Sequence, residues 1–257
     1  MLEKFRGAKQ AEITRLKALE TAQTLPEPYT GKRPSFSDAL LAKAPIAVIA
    51  EYKRASPSRG DINLDVPPED VAAMYAASGA AAISVLTEET YFKGSLDYLE
   101  PMSAPGLPLL RKDFLIHPLQ VVATAATRAS ALLLIVRMLT DAEMAAMLRL
   151  TYDAGLEAVT EVFDEADLAR AESVGAHIIQ VNNRDLDTLV TDLAVSERLA
   201  PRKRPGRIWI SASGLSSRAD VLHMAELGFN AVLVGTSLMS GADPGAALAR
   251  LTGKEPA

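Results

Sequence analysis

Two lysines, two glutamates and an asparagine stand at the ends of four apolar runs in this 257-residue chain, and as a set they suit acid–base chemistry. Glu51 and Lys53 follow Val48-Ile49-Ala50. Two apart on a strand, they point to the same side, and opposite charges facing a buried interior are costly unless paired. A surface ion pair is the simpler alternative, but the apolar run before them reads as buried. Lys112 ends the run Leu109-Leu110-Arg111, Glu161 ends Val159-Thr160, and Asn182 ends Gln180-Val181. Ser211-Ala212-Ser213-Gly214 and Val234-Gly235-Thr236-Ser237 are loops of small residues that let backbone amides approach an anion closely. Taken singly each is a weak signal, since Gly and Ser also make ordinary turns. The segment Arg54-Ala55-Ser56-Pro57-Ser58-Arg59-Gly60 is cationic and glycine-terminated, able to fold over a bound anion.

Positioning these groups together requires eight strands whose carboxyl ends share one face. The apolar runs predict strands near 47–52, 82–86, 107–111, 131–136, 156–161, 177–182, 207–211 and 231–234, with helices between them. A weak repeat supports this: Gly79, Gly155, Gly175 and Gly228 each stand just past a helical segment and shortly before a strand. Pro67-Pro68-Glu69-Asp70, Thr140-Asp141-Ala142-Glu143 and Asp164-Glu165-Ala166 carry helix-start signals. Residues 46–257 spread over eight βα units leave roughly 26 residues per unit, which fits an α/β fold of the (βα)8 TIM-barrel type. Residues 1–257 are read as a single barrel domain, of which 1–45 form an N-terminal extension. That extension is expected to hold a helix at about 2–22 and a shorter one at about 35–43, separated by Pro26, Pro28 and Gly31.

Composition limits the partners. Hydrophobic residues make up 49% and aromatics only 5%, so the core must be built from Ala, Val, Ile and Leu. The net charge of −5 gives no general attraction to nucleic acid or anionic lipid, so neither is expected as a partner. The basic cluster Arg202-Lys203-Arg204 with Arg207 lies between prolines and before a strand and reads as a solvated loop. Without cysteine the chain has no disulfide or thiolate nucleophile, which fits a reducing compartment, and a cytoplasmic location is expected. His117, His177 and His223 are widely separated and form no HxxxH or HxH pair, so no metal site is expected. The amphipathic start, with Leu2, Phe5, Ile13, Leu16 and Leu19 near helical spacing, reads as a helix rather than a signal peptide. Arg59-Gly60-Asp61 spells an adhesion tripeptide by coincidence.

These segments resemble the indole-3-glycerol phosphate synthase family along essentially the whole chain. The most specific are Ile49-Ala50-Glu51-Tyr52-Lys53-Arg54-Ala55-Ser56-Pro57-Ser58, Leu110-Arg111-Lys112-Asp113-Phe114 and Val181-Asn182-Asn183-Arg184-Asp185-Leu186. Leu86-Thr87-Glu88-Glu89, Thr160-Glu161-Val162, Ser213-Gly214 and Val234-Gly235-Thr236-Ser237 add to them. The resemblance implies ring closure of 1-(2-carboxyphenylamino)-1-deoxyribulose 5-phosphate to indole-3-glycerol phosphate, with loss of carbon dioxide and water. It implies a phosphorylated small-molecule substrate, with no cofactor, no metal and no obligate protein partner. It also implies that the N-terminal helices pack over the barrel and help hold substrate.

By the same resemblance Lys112 is the general acid at the carbonyl oxygen and Glu161 handles protons in dehydration. Lys53 contacts the substrate carboxylate or the leaving hydroxyl and shares the acid role, while Glu51 sets its position. A second ammonium nearby and partial desolvation are the effects that make a lysine a better acid. Asn182 is assigned to a sugar hydroxyl, Arg184 to the anthranilate carboxylate, and Phe92, Phe114 and Leu133 to the aromatic ring, with Ser211 as a further substrate contact. Phosphate is assigned to Ser56, Ser213, Gly214, Gly235 and Thr236. One departure stands out: the family reads Ser-Glu-Ser-Gly where this chain has Ser211-Ala212-Ser213-Gly214. A carboxylate near the lysines is therefore missing, and the expectation is an altered rate rather than a dead enzyme. The alternative is a weakened or non-catalytic phosphate-binding barrel. The isomerase acting on phosphoribosylanthranilate is a poorer fit, because this chain has no thiol to serve as its base.

Overall fold

The computed structural model describes residues 1–185 and 188–254, so Leu186 lies outside the described residues. Eight parallel strands close into a barrel in sequence order: β1 (Ala47–Tyr52), β2 (Ala82–Leu86), β3 (Leu109–Lys112), β4 (Ala131–Ile135), β5 (Glu157–Val162), β6 (Ile178–Asn182), β7 (Ile208–Ala212) and β8 (Ala231–Val234), which returns to pair with β1. Each falls within two residues of its expected place. The largest offset, at β3, has a plain cause: Pro108 accepts from the Ile83 amide but has no N–H to donate.

Alternation along the strands divides the core into two shells. Val48, Ala50, Val85, Leu134, Val181, Trp209 and Val232 pack outward against the helices. Ile49, Leu110, Leu133, Val159, Ile178, Ile210 and Leu233 fill the barrel. The surrounding helices are α4 (Pro68–Ala77), α5 (Leu99–Met102), α6 (Pro118–Ala125), α7 (Asp141–Asp153), α8 (Glu165–Ser173), α9 (Ala194–Leu199), α10 (Arg218–Glu226), α11 (Thr236–Met239) and α12 (Pro244–Thr252). Their starts use the expected caps: Thr140 and Glu143 form a reciprocal box, and the Asp164 side chain accepts from the Asp167 amide. The repeated glycines Gly79, Gly155, Gly175 and Gly228 all have φ between +69° and +89°, a region costly for other residues. No helix among the described residues is long and apolar enough to cross a membrane.

The N-terminal segment differs from expectation in one respect. The helix expected at 2–22 is broken at Lys9 into α1 (Leu2–Ala8) and α2 (Gln10–Thr21). The Lys9 ammonium is buried against Asp113 Oδ1 at 2.8 Å and also pairs with Glu12. Arg111 completes the cluster, with Nη2 2.7 Å from Glu12 Oε1 and 3.0 Å from Asp113 Oδ2. These charges fasten the junction of α1 and α2 to the end of β3. The expected short helix is α3 (Phe36–Leu41), capped by Ser35 and held from the opposite end of the barrel by the Glu157 carboxylate, which accepts from the Phe36 and Ser37 amides.

Candidate active site

The inward alternation of β1 carries Glu51 and, one step beyond the strand, Lys53 into the barrel mouth. Lys53 Nζ lies 2.7 Å from Glu51 Oε1, and Lys112 Nζ, from the end of β3, lies 3.9 Å from Oε2. The Ser84 hydroxyl donates to Oε2 at 3.4 Å. Burial pushes the Glu51 carboxyl up, but Lys53 and Lys112 outweigh it and hold it below its ordinary value. Glu51 is therefore an ionised carboxylate between two ammonium groups, and it offsets the repulsion that the two lysines alone would exert. Gly235 makes this possible: a Cβ there would collide with Glu51 Oε1 and crowd its Cβ at 3.1 Å.

Glu161 is buried at the end of β5, facing the same mouth, and accepts from the side-chain amide of Gln180. Asn182 Oδ1 accepts from the Arg184 amide at 3.0 Å, which leaves the Asn182 amino group as the donor toward the mouth. Burial and the facing Arg59 both lower the Arg184 guanidinium from its ordinary value, and its Nη1 donates to the Leu189 carbonyl.

Two cavities adjoin here. The first, with about 740 Å³ of open space, is lined on one side by Phe5, Leu86, Phe92, Phe114, Leu133 and Ile135. Phe5 stacks on Phe114 at 4.0 Å, and Phe92 stands 6.0 Å from Phe114. The buried Glu88 carboxylate shapes this wall by accepting from the amides of Thr90, Tyr91 and Phe92 at 2.7–3.0 Å. The second cavity is polar and is lined by Ser213, Gly214, Leu215 and Ser216 after β7 and by Gly235, Thr236 and Ser237 after β8. Glu51, Arg59 and Ala212 also face it. Lys53, Ser58, Lys112, Asn182, Arg184, Ser213 and Thr236 line both. The charged groups thus occupy the junction between an aromatic lobe and a polar one.

Of the residues singled out from sequence, Lys53, Ser56, Phe92, Lys112, Phe114, Leu133, Glu161, Asn182, Arg184, Ser213 and Thr236 line the first cavity, and Glu51, Gly214 and Gly235 line the second. Ser211 is the exception and is corrected. It is fully buried, and its hydroxyl bonds Ser196 Oγ at 2.8 Å and accepts from Asn183 Nδ2 at 3.0 Å, away from the mouth. Ala212 takes the inward position, and on a strand two successive residues cannot both face inward. Arg54 is also turned away, donating to the Leu64 carbonyl and to Tyr98, so Arg59 is the arginine of its loop that faces the cavity. That loop is a small hairpin, with Ala55–Ser56 paired to Gly60–Asp61.

Sequence reasoning passed over Phe5, whose helical spacing read only as amphipathic, and Asn183. Asn183 Nδ2 donates to the Ser213 carbonyl at 3.0 Å, and Ser213 itself has φ +72°, a strained value for a side-chain-bearing residue. Each histidine has a structural contact. His117 caps α6, His177 meets Arg207 at 3.4 Å and His223 meets Glu197 at 2.8 Å.

The fold and this mouth define a (βα)8-barrel enzyme with ionisable side chains gathered at the carboxyl ends of the strands. Residues 2–251 match the family model for indole-3-glycerol phosphate synthase, and the chain belongs to that family of carboxy-lyases. The indole-3-glycerol phosphate synthase of Carboxydothermus hydrogenoformans is 43% identical over 219 residues, 83% of each chain. That of Magnetococcus marinus is 40% identical over 255 residues, 96% of this chain and 95% of the relative. Among solved structures, 3-hexulose-6-phosphate synthase from Salmonella typhimurium superposes with a TM-score of 0.64 over 81% of this chain and 97% of that one. At 13% identity this similarity speaks to the fold alone.

Proposed function

We propose that this mouth closes the indole ring of 1-(2-carboxyphenylamino)-1-deoxyribulose 5-phosphate, yielding indole-3-glycerol phosphate, carbon dioxide and water. The observation that carries the reading is the junction. A molecule with an aromatic ring at one end and a phosphate at the other, laid across the two lobes, sets its ketone beside Lys53, Lys112 and Asn182. Holding both ends brings the aryl carbon and the carbonyl carbon into reacting distance.

The aryl carbon bearing the carboxylate attacks the ketone while Lys112 gives a proton to the carbonyl oxygen. A carbon–carbon bond forms and the ring becomes cationic. Carbon dioxide then leaves, its bonding electron pair returning to the ring. Loss of the new hydroxyl as water, together with a proton from the adjacent carbon, completes the indole, and Glu161 is the group that moves these protons. Lys53 meets the substrate carboxylate or the departing hydroxyl, with Glu51 fixing its position. Phosphate lies against Ser56, Ser213, Gly214, Gly235 and Thr236, with Arg59 facing it from the hairpin. Residues 1–45 serve the same barrel as an extension that covers the aromatic lobe. The protein is placed in the cytoplasm, where a cysteine-free chain suits a reducing compartment.

Indole fluorescence after mixing protein and substrate tests this reading, since the chromophore arises only on ring closure with decarboxylation. A saturable rise matched by equimolar carbon dioxide is expected. Tight binding of a reduced substrate analogue without any product would instead favour a barrel weakened by the loss of a carboxylate at Ala212.

A further inference from the structure

Lys53 and Lys112 both turn toward Glu51, so the second carboxylate of the mouth is left to a different partner. Among the described residues, the hydrogen-bond donor to Glu161 is the side-chain amide of Gln180. The two residues are direct partners across β5 and β6, and Gln180 is fully buried inside the barrel. The amide is oriented with its amino group donating to the Glu161 oxygen, which accepts. The other end of the amide is unsatisfied, since Gln180 Oε1 is buried with no partner among the described residues. Burying a bare carbonyl is unfavourable, and an apolar side chain of similar length would avoid it. On its other side, Gln180 pairs in register with Ile210 in the apolar filling of the barrel. The amide is thus poorly explained by packing and well explained by its bond to Glu161.

We propose that Gln180 is a positioning residue for Glu161: its N–H engages Oε2 and leaves Oε1 as the oxygen available to substrate protons, without adding a charge to the mouth. The proposal rests on the reading in which Glu161 moves protons during dehydration. Being neutral, the amide orients the base and leaves it free to accept a proton, whereas a lysine or arginine in its place would compete for it.

The test uses Gln180→Met, which keeps the length and removes the donor, and Gln180→Glu, which keeps the shape and sets a second acid against the first. Glu161 is titrated by carboxyl 13C NMR in the folded protein, its signal identified by its loss in Glu161→Gln, alongside pH profiles of kcat and KM. The other charged groups of the mouth, Glu51, Lys53, Arg59, Lys112, Asp113 and Arg184, are unaltered in both variants. The Glu161 midpoint should move in both variants, and further in Gln180→Glu than in Gln180→Met. The acidic limb of kcat should follow it, with plateau kcat down about tenfold and KM within about twofold. An unmoved midpoint in whichever variant folds, or a loss confined to KM, overturns the proposal. A shifted midpoint in a protein that never forms indole would sink the functional reading and leave the positioning role standing.

Discussion

Room for the Glu51 carboxylate is made by an absent side chain on a different strand end. Gly235 follows β8, and any Cβ there would meet Glu51. Gly235→Ala should therefore displace the carboxylate from Lys53 and Lys112 and lower kcat by about tenfold or more in a folded protein, since small errors in placing a catalytic group are costly. A wild-type kcat in that variant would mean that Glu51 does not order the lysines. Ala212 is the complementary case. It faces inward at the end of β7, opposite Asn182 and Leu233 in register, where a longer acidic side chain would add a third carboxylate to the mouth, beside Glu51 and Glu161. Ala212→Glu should raise kcat by about twofold or more, well short of the roughly hundredfold that a whole acid–base group supplies. An unchanged or lower value would show that Glu51 alone suffices. Most of these side chains were legible in the sequence because polar residues ending apolar runs have few structural uses. Ser211 was misread because its neighbour Ala212 already claims the inward direction. Gln180 was hidden inside the run Ile178-Ile179-Gln180-Val181, and only the pairing of β5 with β6 reveals what it touches.

At the scale of elements, the strands and their helix caps follow from local signals, and the break between α1 and α2 does not. Lys9 lies 104 residues from Asp113, and nothing near Lys9 in the chain shows that its ammonium is buried. That cluster seats α1, and with it Phe5, against the aromatic lobe. Arg111 and Asp113 bond Glu12 and Lys9 while Lys112 between them turns toward Glu51, so one strand end serves both the clamp and the mouth. Asp113→Asn leaves Lys9 and Arg111 buried with a weakened counter-charge and should cost about 3–5 kcal/mol of stability. Chemical denaturation measures it, and a loss below about 1 kcal/mol would mean that the cluster relaxes into water.

For the molecule as a whole, the same carboxylates set its response to acid. Burial pushes Asp113 up, but Arg111 and Lys9 outweigh it and hold it at about 2, and Glu12 and Glu51 are also lowered by their cationic neighbours. Carboxylates with depressed native values stabilise the fold fully above their unfolded values, near ~4. That contribution fades as pH falls toward the folded value. Asp167, raised by burial, works in the opposite direction. The melting temperature should hold from neutral pH to about 5 and fall steeply between about 4 and 2, with a shallower fall in Asp113→Asn. A flat profile down to pH 3 would contradict this.

In the proposed reaction Lys112 supplies the proton for ring closure at the junction of the two lobes. The most direct measurement is indole formation by Lys112→Ala, with the affinity of a reduced substrate analogue measured on the same preparation. Turnover should fall by about a hundredfold or more while the analogue binds within about tenfold of wild type. Turnover close to wild type would contradict it and move the acid to Lys53.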